Sequence, residues 1–187
     1  MLSKLKIIFL DVDGVLNVIP EGTDKFGDIF HSHFIDNLKV IVDTTGAKIV
    51  LSASSKKNGL DIIQQMWKYR NYPGEVIDIT PSLYLKFGGC IQFWNDKLTR
   101  NPTEKIHGYS IPRGCEIEYW LKNESSRFGV IENYVIIDDD DDMLLNQHDN
   151  YVKCSDNISD YDCIDIGFGL TDSCTNMAIE ILNKAKS

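Results

Sequence analysis

Three groups of residues in this chain have types and spacings that could do chemistry. Asp11-Val12-Asp13-Gly14 follows an apolar run directly. Ser52 closes a second apolar run, with Ser54, Ser55, Lys56 and Lys57 just behind it. Five consecutive aspartates, residues 138–142, follow Tyr-Val-Ile-Ile with no turn between. Carboxylates from two such runs repel one another strongly if they converge, unless a cation lies between them. Hard oxygen donors with few protein ligands suit Mg²⁺, which keeps several waters and commonly takes phosphate oxygens. Each group alone has an ordinary explanation. Asp and Gly favour turns, serines after a strand cap helices, and an aspartate run can be a solvated loop. Their combination, and their order along the chain, carry the weight.

The intervening residues form elements that can position these groups. Residues 5–10 read as a buried strand. Phe34, Leu38, Ile41 and Val42 lie at helical spacing, and Gly46 is a stop signal. Residues 47–51 form a second strand. Leu60, Ile63 and Trp67 mark a second helix, which Pro73-Gly74 bars from continuing. Residues 75–80 are a third strand, and 81–112 lack periodicity. Ile117, Trp120 and Leu121 share a helical face. Residues 134–137 and 151–154 are further strands, and Thr171 can cap a last helix carrying Met177, Ile181 and Leu182. The alternation predicts an α/β fold: a three-layer, doubly wound, mostly parallel sheet. Ligands of such sheets bind beyond the carboxyl ends of the strands, where the three polar groups lie.

A length of 187 residues suits a single domain, 1–187, with an irregular lid-like insertion over about 81–112. The first gap, 17–34, has room only for a flap. An apolar fraction of 43% supports a sizeable core. A formal charge of −9 argues against a protein coated in nucleic acid or held on an anionic membrane, though not against a local patch. No apolar stretch approaches the roughly 20 residues of a membrane span. Asp11 arrives too early for a signal peptide, so a cytoplasmic protein is expected. Five cysteines without a CxxC read as isolated reduced thiols. His31 and His33 read as surface groups of the flap. Residues 81–113 form a basic island with Lys86, Lys97, Arg100, Lys105 and Arg113, interleaved with Tyr84, Phe87, Phe93, Trp94 and Tyr109. These aromatics either pack the loop onto the body or stack on bases.

The ordered set resembles the haloacid dehalogenase (HAD) superfamily. DxDG after the first strand, Ser52 after the second, a basic residue near a helix start and Asp138-Asp139 after a later strand match its four motifs. "LDVDGVLN", "GAKIVLSASS", "ITPSL", "RGCEIEYWL", "YVIIDDDDDM" and "GLT" are similar to HAD domains related to multi-domain RNA repair proteins. The resemblance implies a Mg²⁺-dependent phosphohydrolase that cleaves phosphomonoesters through an aspartyl-phosphate. Asp11 would be the nucleophile and Asp13 the general acid and base. Mg²⁺ would be held by Asp11, the carbonyl of Asp13, Asp139 and Asp138, with Asp142 supporting bound waters. Ser52 and Arg113 would bind phosphate, with Lys105 the fallback for Arg113. Relatives carry Ser-Ser-Ser-Trp-Arg where this chain has Ser-Ala-Ser-Ser-Lys, so Lys56 would take the basic role there. The implied partner is a phosphorylated small molecule or nucleic-acid end, with no membrane and no obligate protein partner. A phosphotransferase and a non-catalytic binding module are the alternatives.

Overall fold

The computed structural model describes residues 4–83, 111–154 and 168–185. The basic and aromatic residues expected of the insertion, apart from Arg113, lie outside them. Strand β1 (Lys4–Leu10) is the centre of the fold. Its last four residues, Ile7 to Leu10, are fully buried because both faces of the sheet are covered. A small antiparallel hairpin follows, β2 (Gly22–Asp24) with β3 (Gly27–Ile29). Helix α1 (Ser32–Thr45) ends at Gly46, as its sequence predicts. Next come β4 (Lys48–Leu51), α2 (Leu60–Tyr69) and β5 (Val76–Ile79). Helix α3 (Arg113–Asn123), β6 (Val130–Asp138), β7 (Tyr151–Lys153) and α4 (Asp172–Asn183) complete the described elements.

The main sheet runs β5-β4-β1-β6-β7, and every pairing in it is parallel. Side chains alternate across it. Ile8, Leu10, Ile49, Leu51, Val135 and Ile137 pack with Phe34, Leu38 and Ile41 of α1, Trp67 of α2 and Leu182 of α4. Ile7, Phe9, Val50 and Ile136 pack against Ile117 and Trp120 of α3 on the other face. The result is the three-layer α/β sandwich expected from the sequence. β6 is longer than its apolar run suggests, because Val130 to Asn133 pair with the solvent-facing start of β1.

The register sets the site. Leu10 of β1 is level with Leu51 of β4 and Ile137 of β6. Asp11, Ser52 and Asp138 are therefore the next residues on three adjacent strands. The ladder continues past the strand ends: Asp11 N–H donates to Ile137 O at 3.0 Å and Ser52 N–H to Leu10 O at 2.8 Å. The chain direction of winding reverses between β1 and β6, which is where such sheets open a ligand crevice.

Candidate active site

The crevice gathers carboxylates. One oxygen from each of Asp11, Asp138 and Asp139 lies within 4.8 Å of the others. Asp11 and Asp138 are buried, at 4% and 0% exposure. Gly14 makes the crowding possible. Its φ of +77° favours glycine, and a Cβ there would overlap the Asp139 carboxylate.

Arg113, the first residue of α3, supplies the opposing charge. Its Nη1 donates to Asp11 Oδ1 at 2.8 Å and to the carbonyl of Ser52, and its Nε lies 3.2 Å from Asp138 Oδ2. Its backbone N–H donates to Asp142 Oδ2 at 2.8 Å. Burial alone would lower the guanidinium's pKa. The charges of Asp138, Asp11 and Asp142 outweigh that and hold it above the ordinary arginine value. One arginine does not balance the carboxylates. Burial pushes Asp11 up to about 7 against the pull of Arg113, and Asp138 up to about 8. Asp138 Oδ1 accepts from Asp140 N–H at 3.0 Å. Asp138 Oδ2 accepts no hydrogen bond among the described residues, despite full burial. A buried, under-satisfied oxygen beside two further carboxylates fits a hard divalent cation. Asp11, Asp138 and Asp139 are the residues that would hold one.

Asp13 stands apart from this cluster. The strand ends at Leu10, and Val12 O accepts from the N–H groups of Val15, Leu16 and Asn17. That turn leaves Asp13 exposed while Asp11 is buried. Asn17 Nδ2 donates to Asp13 Oδ1 at 3.3 Å and approaches Asp28 Oδ2 of the hairpin at 3.5 Å. The hairpin is itself anchored by Arg70, which donates to both carboxylate oxygens of Asp24 and to the carbonyls of Gly27 and Asp28. His31 is the N-cap of α1 and accepts from His33 N–H.

Lys56 lies on the other side of Ser52. Its ammonium is paired with Glu116 of α3 and is 3.3 Å from Thr80 Oγ1. Thr80 Oγ1 is 3.5 Å from Ser52 Oγ, and Glu116 Oε1 accepts from Leu83 N–H at 3.1 Å. Burial lowers the pKa of Lys56, with Glu116 opposing it. Lys56, Ser52, Arg113, Glu116, Asp140 and Asp142 line a cleft of about 240 Å³. Thr80 and Glu116 were not among the residues expected from the sequence. Thr80 closes β5 as Ser52 closes β4. Glu116 falls one helical turn after Arg113, so both features were visible as patterns.

The model of the HAD domain in Swiss Army Knife RNA repair proteins matches residues 7–159 of this chain. The chain belongs to that family. The match begins within β1, runs past β7, and includes Asp11, Ser52, Arg113 and the five aspartates 138–142. Membership of that family supports a HAD-type phosphohydrolase. Neither curated proteins nor solved structures gave a match. No helix among the described residues is long and apolar enough to cross a membrane.

Proposed function

We propose that this HAD domain is a Mg²⁺-dependent phosphohydrolase acting on phosphomonoesters through an aspartyl-phosphate on Asp11. The observation that carries the reading is the position of Asp11. It is buried at the end of the central strand, 2.8 Å from Arg113 and grouped with Asp138 and Asp139 at the reversal of strand order.

An oxygen of ionised Asp11 attacks phosphorus, and the bond from phosphorus to the ester oxygen breaks. Asp13 gives its proton to the leaving oxygen. Water then attacks phosphorus, Asp13 takes its proton, and the bond to Asp11 breaks to release inorganic phosphate. Exposure of Asp13 suits proton exchange with solvent, and Asn17 orients its carboxylate. Ser52 and Arg113 bind the phosphoryl oxygens, with the guanidinium also favouring the charged form of Asp11. Bound Mg²⁺ would shield the anionic nucleophile from the anionic phosphate and stabilise charge in the transition state. Lys56, already paired with Glu116, contributes by holding the cleft wall beside the phosphate.

The family's link with RNA repair favours a phosphorylated nucleic-acid end as substrate, and a small phosphate ester is the other class. The test is phosphate release across small esters and 3′- or 5′-phosphorylated oligonucleotides, with Mg²⁺ or EDTA. Release only in the Mg²⁺ arm supports the reading. Release from nucleotides and sugar phosphates but from no oligonucleotide would remove the nucleic-acid substrate. No release from any substrate would remove the enzyme.

A further inference from the structure

The wall of the cleft beside Ser52 carries an ion pair set one layer out from the clustered carboxylates. Lys56 comes from the short turn Ser54–Asn58 after β4, and Glu116 from α3. Their side chains are only 15% and 10% exposed. Glu116 follows Arg113 by one helical turn, so the two share a face of α3. Arg113 is fixed on Asp11 at 2.8 Å, and Glu116 therefore holds Lys56 beside the same phosphoryl position. Buried Thr80 joins the two sides. Its hydroxyl lies 3.3 Å from Lys56 Nζ and donates to Ser52 Oγ at 3.5 Å. A buried ion pair adds little net stability. This one borders a cleft rather than the packed core.

The hydrogen-bonding capacity of the pair is not used up. An ammonium has three N–H donors, and Glu116 and Thr80 take two of them. A carboxylate accepts about four hydrogen bonds, and Lys56 and Leu83 N–H supply two to Glu116. A donor and acceptors remain, side by side, for a group in the cleft. A hydroxyl uses both at once. A second phosphate does not suit the place: it would meet Glu116, Asp140 and Asp142, while Arg113 is already engaged by Asp11 and Asp138. An apolar group would strip water from the charged pair without replacing its hydrogen bonds. The cleft, at about 240 Å³, is smaller than the roughly 300–1,000 Å³ of pockets that bury whole small ligands. It takes a phosphoryl group and the few atoms next to it.

We propose that Lys56 and Glu116 form a specificity subsite for a hydroxyl on the carbon adjacent to the one that bears the phosphate. Lys56 donates to the hydroxyl oxygen, and the hydroxyl donates to Glu116. The substrate class is a phosphomonoester with a vicinal hydroxyl. Two sources share that chemistry: a polyol or sugar phosphate, and a 3′-phosphorylated ribonucleotide end. The proposal rests on the phosphohydrolase reading of the same cleft and specifies the leaving group, which that reading does not.

The experiment compares two matched pairs of esters with the full chain and Mg²⁺. One pair is glycerol 3-phosphate and n-propyl phosphate. The other is a 3′-phosphorylated ribo-oligonucleotide and its deoxyribo counterpart. Within at least one pair, kcat/KM should favour the hydroxylated member by about tenfold to a hundredfold, the scale of hydrogen bonds to charged groups. The pair that shows it identifies the source. Lys56→Met and Glu116→Gln should each bring that ratio close to one. A merely structural role would lower both members together and leave the ratio unchanged. Calorimetric binding of the same esters to Asp11→Asn reads the preference without turnover, and it decides if the wild type releases no phosphate. A binding preference without any turnover would remove the phosphohydrolase and keep the subsite. A ratio near one in both pairs, or a ratio untouched by either folded variant, would overturn the proposal. The unsubstituted Lys56 and Glu116 decide the first of these, whether or not a variant folds.

Discussion

Arg113 and Asp11 divide the labour at the phosphate. Arg113→Lys keeps a charge but loses the fork that reaches Asp11, Ser52 and Asp138 together. It should reduce kcat/KM by about tenfold to a hundredfold, on the scale of a charged, multi-point hydrogen bond. Arg113→Ala should also move the acidic limb of the pH–rate profile upward, because the guanidinium is what lowers the pKa of Asp11 against burial. An unmoved limb with intact folding would detach Arg113 from Asp11. Asp11→Asn should lower turnover by at least about 10³-fold, as expected for loss of a nucleophile. Near-normal, metal-independent turnover in that variant would remove Asp11 from the chemistry.

Helix α3 presents Arg113 because its first turn is wedged against the segment after the acidic run. Gln147 is buried, donates to Gly114 O at 2.8 Å and accepts from Leu144 N–H at 2.9 Å. A Cβ on Gly114 would sit 2.5 Å from Gln147 Oε1 and 2.7 Å from Leu144 N. Gly114→Ala should therefore cost about 1–3 kcal/mol, seen as a Tm lowered by several degrees. An unchanged Tm would show that α3 can shift freely. The strand ends were legible in the sequence because burying an apolar run and then stopping at Asp11, Ser52 or Asp138 leaves a clear boundary. Arg113 was legible as a cation at a helix start. The Lys56–Glu116 pair was not, since nothing local links residues so far apart in the chain.

Across the molecule, the site is bought at the expense of stability in the absence of metal. Asp11 and Asp138 have folded pKa values of about 7 and 8, raised from 3.8. Between these limits the folded state binds more protons than the unfolded state. Stability must then fall as pH rises from about 4, with the full loss reached above about 8. In EDTA, Tm should be lower at about pH 8 than at about pH 5, and Asp138→Asn should flatten the slope. Mg²⁺ should raise Tm more at the higher pH, where the carboxylates it would meet are otherwise strained by their own charge. A Tm that rises through this window in EDTA would contradict the electrostatic description of the crevice. The fold as a whole was readable from the alternation of strands and helices. The sheet order was not, because β4 and β6 flank β1 through pairings distant in sequence.

Rapid acid quenching during turnover of p-nitrophenyl phosphate with Mg²⁺, followed by peptide mass spectrometry, tests the central claim most directly. The account predicts a phosphoryl adduct on Asp11, absent in Asp11→Asn and more abundant when Asp13→Asn slows its hydrolysis. Steady phosphate release with no adduct on Asp11, or with the adduct on another residue, would contradict it.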